Sequence, residues 1–346
     1  MLRTLLAGTT AFALGPRLAL AQADSAEARA NLQAVKDYMI EHGDAMLERA
    51  TTLEGQARGY YELVQSVGGD AGALSGEQGV QAATMIADMR QTWVEVHNNY
   101  EQVEGIVAGV PSLSDYDLIL DAGVAEADGP DDVAPFDLTL PDGKVIARPG
   151  NLLHVNLETA LWTTVPDIVV ARVRTGDKEE LLPDHVFLLG AAQGLKTYTG
   201  NMVADINAWE PNLTDAFTAL VTMVPTAGDY FGEWKESRFV GGDLPIYVAQ
   251  SRLVDVLGIM TSTQVMYSRG TSPSVADVDS SLDEQIKTGF DGLLAFIEDV
   301  HEREDAGETF APEEADAIGS EAGDRAERIT AQIALAASKL NVPIPI

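Results

Sequence analysis

The stretch SGEQGVQAATMIADMRQTWVEVHNNYEQVEGIVAG, residues 75–109, decides the fold that we expect for this chain. Its apolar side chains recur at intervals of three and four residues: Val80, Met85, Ile86, Met89, Trp93, Val96, Tyr100, Val103 and Ile106. This spacing places them on one face of an α-helix, and a periodic run of this length is typical of long-helix bundles. We therefore predict an all-α fold.

A second stripe of the same helix carries polar groups. His97, Glu101 and Glu104 stand at i, i+4 and i+7, so they share a face beside the apolar one. No lysine or arginine lies within a turn of either glutamate. A solvated, salt-bridging face is one interpretation, and a bound cation is the other. We take His97, Glu101 and Glu104 as candidate metal ligands.

A second candidate motif is Pro149-Gly-Asn-Leu-Leu-His154-Val-Asn-Leu-Glu158-Thr-Ala-Leu-Trp162. Proline and glycine indicate a loop, and the residues that follow have helical spacing. His154 and Glu158 are four residues apart, which puts the imidazole and the carboxylate on one helix face, within reach of a shared ion or proton. They complete the predicted set of metal ligands.

The residues before this motif predict a small β-hairpin. Residues 136–140 and 144–147 flank an Asp142-Gly143 turn, and the second strand leads directly to Pro149, so the hairpin is positioned as a flap. It is the only convincing strand signal, since residues 168–174 fit either a strand or a buried helical piece. Residues 121–132 read as an acidic loop, and Leu182-Pro183-Asp184 as a helix start.

The remaining segments read as helices. One begins after Ser25 and stops at His42-Gly43, a long apolar one spans 245–267, and two more span 275–300 and 320–340. Arg252 and Asp255 fall inside the apolar helix, where buried charges need partners. The chain thus divides into first helices (24–120), acidic loop and hairpin (121–150) and remaining helices (151–346). Two packed bundles or one continuous bundle both fit.

The net charge excludes several classes of partner. The chain has 54 acidic and 22 basic residues, for a formal charge of −32. Nucleic acids and anionic membranes are bound by basic clusters, which this composition does not provide. An acidic surface favours cations, or solubility in a salty medium where self-repulsion is screened.

The absence of cysteine narrows the chemistry further. Disulfides, thiolate metal sites, iron–sulfur clusters, a cysteine nucleophile and a lipid-modified N-terminal cysteine are all excluded. Any metal has to be held by His, Asp and Glu, a donor set that suits iron, zinc or manganese.

The N-terminus predicts export. Arg3 precedes a short apolar run, and small-residue cleavage sites follow at Ala19-Leu20-Ala21 and Ala21-Gln22-Ala23, so residues 1–23 read as a cleavable signal peptide. No later apolar run is long enough to span a bilayer. We expect a periplasmic or secreted protein with no membrane insertion after cleavage.

Two segments resemble imelysin-like proteins, a group that includes periplasmic components of bacterial ferrous-iron uptake. Tyr100-Glu101-Gln-Val-Glu104, seven residues after Trp93, is similar to the first motif of that family. The run from Leu153 to Trp162 is similar to its His-x-x-Glu motif, with one additional residue between His154 and Glu158.

The resemblance implies a fold, a site and a function. It implies two helical bundles with a cleft between them, and ligation of the metal by Glu101, Glu104, His154 and Glu158. Asp115 or Asp117 would support these ligands. The implied function is binding of a divalent or ferric ion, iron before zinc, for uptake with a membrane permease as a partner.

Two other functions are weighed against metal binding. The first is binding of an extracellular polysaccharide, with Trp162, Trp209, Trp234 and Tyr100 as stacking platforms, although a polyanion would be repelled. The second is metallopeptidase activity. The chain lacks the His-Glu-x-x-His motif that zinc peptidases carry on one helix, so we rank this function last and favour a protein that is not an enzyme.

Overall fold

Long helices make up most of the chain. The computed structural model describes residues 26–176 and 178–344, and the predicted signal peptide, residues 1–23, lies outside them. The helices are α1 (Ala26–Ser66), α2 (Glu77–Val107), α3 (Asp115–Leu120), α4 (Thr159–Trp162), α5 (His185–Ala208), α6 (Leu213–Met223), α7 (Ala227–Glu236), α8 (Arg252–Val265), α9 (Ser272–Asp305) and α10 (Pro312–Leu340). Two π-helical turns, Leu152–Glu158 and Met266–Thr271, precede α4 and follow α8. The all-α prediction is confirmed.

Helix α2 lies at the centre of the packing. It contacts α1 on one side and α8 on the other, while α5 packs on α1, and α7 and α9 pack on α10. The predicted apolar stripe is buried: Ile86, Met89, Trp93 and Val96 are all fully inaccessible to solvent. The buried side chains form one continuous cluster that includes residues of both halves of the chain.

Two small antiparallel hairpins interrupt the helices. The first, β1 (Asp137–Thr139) with β2 (Val145–Ala147), is the one predicted from the Asp-Gly turn. The second, β3 (Val169–Thr175) with β4 (Lys178–Pro183), shows that the first hairpin was not the only strand signal. Consequently α5 does not start at Leu182: Asp184 caps it, accepting hydrogen bonds from the amides of Val186 and Phe187.

The predicted stop at His42-Gly43 is wrong, because α1 continues to Ser66. Gly43 is buried, and a Cβ there would lie 3.1 Å from Val203 on α5. The glycine therefore permits close approach of two helices. The cost of a glycine inside a helix, about 1 kcal/mol, is offset by the packing that the approach allows.

The predicted helix over residues 245–267 is also corrected. Ser251 caps α8, since its hydroxyl accepts a hydrogen bond from the Leu253 amide, and regular α-helix ends at Val265. Residues 245–251 have no helical structure, although their composition is apolar. The backbone amides of Tyr247, Val248 and Ala249 donate hydrogen bonds to the Glu158 carboxylate instead.

Within residues 26–176 and 178–344, none of the helices combines the length and the apolarity needed to cross a membrane.

Candidate metal centre

The polar stripe of α2 is buried. His97, Glu101 and Glu104 expose 0%, 1% and 0% of their surface, so they do not form a solvated face. Helix α2 packs against α8 at this level, where Gly105 and Gly258 allow the two backbones to come close. Three ionisable groups in a dry helix crossing need compensating partners.

His154 and Glu158 lie on the π-helical turn Leu152–Glu158. The amide of Thr159 bonds to the carbonyl of His154, five residues back, which is the π pattern. A π turn holds more residues per turn than an α-helix, so a spacing of four keeps both side chains on one face. The imidazole Nδ1 lies 2.7 Å from Glu158 Oε2.

The start of this turn is fixed by Gly150 and Asn151. Gly150 has a φ of 88°, and a Cβ there would come within 2.8 Å of Val155. The Asn151 side chain accepts hydrogen bonds from the amides of His154 and Val155 and donates one to the Gly123 carbonyl. The residues before His154 thus tie it to the end of α3.

Four side-chain atoms from three segments converge. His97 Nε2 lies 3.0 Å from Glu101 Oε1 and 3.2 Å from His154 Nε2, and Asp121 Oδ1 lies 3.5 Å and 3.0 Å from the two Nε2 atoms. Ligands about 2.05 Å from a tetrahedral ion are roughly 3.3 Å apart. These four distances are close to the spacing of a metal's ligands, and one ligand atom each of His97, Glu101 and Asp121 lies within 4.8 Å of the other two.

Asp121 was missed as a site residue. The composition of residues 121–132 predicted an acidic loop that includes it, yet Asp121 is fully buried at the C-terminal cap of α3. The signal that distinguishes it is its position directly after the apolar run Leu118-Ile119-Leu120, whereas the acids that follow it lie among glycine and proline.

Several carboxylate oxygens of this cluster have no well-directed hydrogen bond within the protein. Both oxygens of Glu101, both of Asp121 and Oε2 of Glu104 are buried without a well-directed hydrogen bond. Buried acceptors without donors are rare in native proteins, because no hydrogen bond offsets the free-energy cost of removing them from water. A cation among them would supply the missing interaction, so the donor set fits a metal ion.

Ionisation in the cluster is strongly perturbed. Burial, with Asp255 and Asp121 close by, raises the pKa of Glu101 well above its usual range. Burial alone would lower the pKa of His154, but the carboxylates of Asp121 and Glu158 outweigh it and raise that pKa to about 9. Burial alone would raise the pKa of Asp121, but the nearby imidazoles of His154 and His97 outweigh it and hold that pKa well below its ordinary value.

Glu158 is not one of the convergent groups. Its Oε2 accepts hydrogen bonds from His154 Nδ1 and the Tyr247 amide, and its Oε1 accepts them from the amides of Val248 and Ala249, at 2.7–2.9 Å. Both of its oxygens already accept hydrogen bonds, so Glu158 fixes the orientation of His154 through Nδ1, the ring nitrogen on the side away from the cluster. Carboxylates commonly orient metal-bound histidines in this way.

Glu104 and Asp117 lie at the edge of the cluster. The Tyr230 hydroxyl donates to Glu104 Oε1 at 2.7 Å, and the Tyr100 hydroxyl donates to Asp117 Oδ1 at 2.8 Å. Burial and the neighbouring Asp121 charge raise the pKa of Asp117 to about 7. Asp115, the alternative to Asp117 in the sequence analysis, is exposed.

Arg252 is the fixed positive charge of the region. It is 1% exposed, and its guanidinium contacts Glu233 at 2.8 Å, Asp255 at 2.9 Å and Asp121 at 3.6 Å. The rings of Tyr247 and Tyr230 lie at 4.3 Å and 4.9 Å from it. These contacts supply the partners that a charged pair in an apolar segment requires.

Asp255 offers an alternative third ligand with both histidines. However, its Oδ2 is bound to Arg252 and its Oδ1 accepts a hydrogen bond from Gln250 at 3.1 Å. Asp255 Oδ1 also lies on the Nδ1 side of His97, at 3.7 Å. The set of His97, Glu101, Asp121 and His154 is therefore the better one.

The family model described as imelysin, a peptidase family by its label, matches residues 24–339, nearly the whole chain. No curated protein matches the chain.

Proposed function

We propose that this chain, which belongs to the imelysin family, binds a single metal ion through His97, Glu101, Asp121 and His154. The observation that carries the proposal is the fully buried cluster of these four residues, in which the carboxylate oxygens of Glu101 and Asp121 have no well-directed hydrogen bond. Glu104 and Glu158 lie beside these four residues and are not ligands in this proposal.

Iron is the ion that we favour, with zinc as the alternative. Two imidazoles with two carboxylates form a mixed donor set of intermediate hardness, which suits iron and zinc better than calcium or magnesium. The buried carboxylates add negative charge for an ion of charge two or three. Metal uptake or homeostasis follows as the biological role.

The predicted export of the protein supports this role. The signal-peptide pattern of residues 1–23 and the absence of cysteine fit a protein that carries metal outside the cytoplasm. A membrane permease that receives the ion is the partner that such a role requires.

Binding fits the site better than hydrolysis does. The ligands are inaccessible to solvent, and the cavities of about 500 and 530 Å³ at α9–α10 and at β3–β4 are lined by other residues, such as Gln285 and Val170. Nor does polysaccharide binding gain support, since three of the four predicted stacking platforms, Tyr100, Trp209 and Trp234, are buried. The fourth, Trp162, is half-buried, with its ring against Trp93 and the Arg90 guanidinium.

Calorimetric titration tests the proposal. Metal-stripped protein should bind one Fe²⁺, under anaerobic conditions, or one Zn²⁺ per chain. His97→Ala and Asp121→Asn should each weaken affinity by about 100-fold, since each removes a ligand whose loss leaves its neighbours unpaired.

The matched control is His301→Ala. His301 is a half-buried histidine near the end of α9, and its Nε2 lies 3.7 Å from Oδ2 of the exposed Asp305. Its replacement should leave affinity unchanged. Wild-type affinity in His97→Ala would show that the cluster is not the binding site.

A further inference from the structure

One irregular segment covers the candidate metal centre. Residues 245–251 lie between α7 and α8 without helical or strand structure, and Tyr247 and Val248 are buried. The Tyr247 ring packs edge-on against His154 at a centroid distance of 4.6 Å. Tyr247 has a φ of 57°, a conformation that costs a non-glycine residue about 1 kcal/mol or more.

Glu158 attaches this segment to the first imidazole. Its carboxylate accepts hydrogen bonds from three consecutive backbone amides, those of residues 247–249, and also contacts His154 Nδ1. Charge-assisted bonds of this kind are roughly twice as strong as neutral ones. They compensate for the left-handed conformation of Tyr247 and hold the segment down on the site.

Gln250 places the same segment against the second imidazole. Its side-chain amide lies 3.0 Å from His97 Nδ1 and donates hydrogen bonds to Asn98 and Asp255 at 2.9 and 3.1 Å. The Nδ1 atoms of both histidines thus face this segment: that of His154 through Glu158, and that of His97 across a 3.0 Å contact with the Gln250 side chain. Both Nε2 atoms remain pointed at each other and at Asp121.

We propose that residues 245–251 form a lid over the metal centre, latched by the positioning residues Glu158 and Gln250. The inference rests on the proposed function and deepens it: release of these contacts opens the ion's path and turns both imidazoles out of their ligating orientation. Entry and exit of the ion then require the same movement. Ion exchange is slow while the latch is closed.

Hydrogen exchange tests the latch without any metal. In wild-type protein treated with chelator, the amides of Tyr247, Val248 and Ala249 should be protected. Glu158→Gln removes the negative charge and replaces one of the two acceptor oxygens by an NH2 donor, so exchange of a peptide covering 244–251 should be at least tenfold faster. Asp243→Asn changes an exposed charge of the same connection and should exchange like the wild type. Equal exchange in wild type and Glu158→Gln overturns the latch.

Stopped-flow mixing with Co²⁺, followed by its visible absorption, tests the lid. Gln250→Ala leaves the four ligands and the Glu158 contacts in place, so association and dissociation should both be at least tenfold faster than in the wild type and in Asp243→Asn. Unchanged association and dissociation rates, or faster dissociation with an unchanged association rate, overturn the lid. A wild type that binds no Co²⁺ overturns the proposed function, while the exchange experiment still decides the latch.

Discussion

Glu101 and Glu158 show how the same residue type takes two roles. Each lies four residues after a histidine, and each is buried. Glu158 is saturated by three backbone amides and an imidazole, whereas neither oxygen of Glu101 has a well-directed donor. Spacing places a carboxylate near an imidazole, and the donors around it decide whether a cation is needed.

The raised pKa values at the site predict how the stability of the metal-free protein depends on pH. Glu101, Glu104, Asp117 and His154 all have folded-state pKa values above their ordinary ones. Each contribution is fully present below the unfolded-state pKa and is lost as pH rises through the folded-state pKa. The metal-free Tm should therefore fall by roughly 5 °C or more between pH 6 and pH 9.

Scanning calorimetry in the presence of chelator measures this fall. Asp117→Asn is the matched variant, because its amide oxygen still accepts from Tyr100 while the group with a pKa of about 7 is removed. It should flatten the decline around pH 7 and leave the part due to His154 near pH 9. A Tm that is constant or rises from pH 6 to pH 9 would contradict the prediction.

At this scale the sequence predicted part of the site. His97, Glu101, Glu104, His154 and Glu158 were found from helical periodicity, and all five lie in or beside the cluster. Asp121 could not be found by periodicity, because it follows a six-residue helix and enters the site through tertiary contact. The roles of Glu158 and Gln250 depend on contacts between residues far apart in the chain: Glu158 accepts hydrogen bonds from the amides of residues 247–249, and Gln250 contacts His97. No spacing rule predicts such contacts.

Helix α8 meets α2 at a crossing that depends on glycine. A Cβ at Gly258 would lie 2.6 Å from Glu101 Cβ and 3.1 Å from the Glu101 carbonyl. The contact is between backbones, so neither side can yield without moving a helix. The same crossing holds the segment of α2 that carries the candidate ligand Glu101.

Gly258→Ala should therefore destabilise the protein by about 2 kcal/mol, within the range for overpacked cores. Because the displacement acts on Glu101, metal affinity should fall as well. Urea denaturation and calorimetric titration give the two numbers.

Gly232→Ala is the control for this substitution. Gly232 lies in α7, and a Cβ there would have no atom within 4 Å. The change should be neutral or stabilising by up to about 1 kcal/mol, as expected for glycine to alanine in a helix. If both substitutions had the same effect, the close approach of α2 and α8 would not matter.

Helix positions were easier to predict than helix ends. The long periodic runs of α1, α2, α9 and α10 follow from the alternation of apolar and polar residues. The error at Gly43 arose because glycine signals a stop or a close contact equally well, and only the facing helix decides. The error at residues 245–251 arose because a buried lid is as apolar as a buried helix.

For the whole molecule, the net charge of −32 means that folding brings like charges together. Self-repulsion destabilises the compact state, and salt screens it. Exposed ion pairs such as Arg148 with Glu126 engage few of the 54 acidic residues, because the chain has only 22 basic ones.

Thermal unfolding in NaCl should show a Tm that rises with ionic strength and levels off above roughly 0.5 M, where the screening length is only a few Å. KCl at the same ionic strength should give the same curve. A linear rise through 1 M would instead indicate exclusion of salt from the protein surface, and a flat curve would show that self-repulsion is negligible.

The stacking of Trp93 on His97 has an optical consequence. The two rings lie 4.7 Å apart at 12°, and Trp93 also contacts His154 and Trp162. The indole is fully buried and its Nε1 donates to the Leu153 carbonyl. Protonation or ligation of the imidazole alters the electronic environment of this indole. The molecule thus contains its own fluorescent reporter, in van der Waals contact with the group whose state it reports.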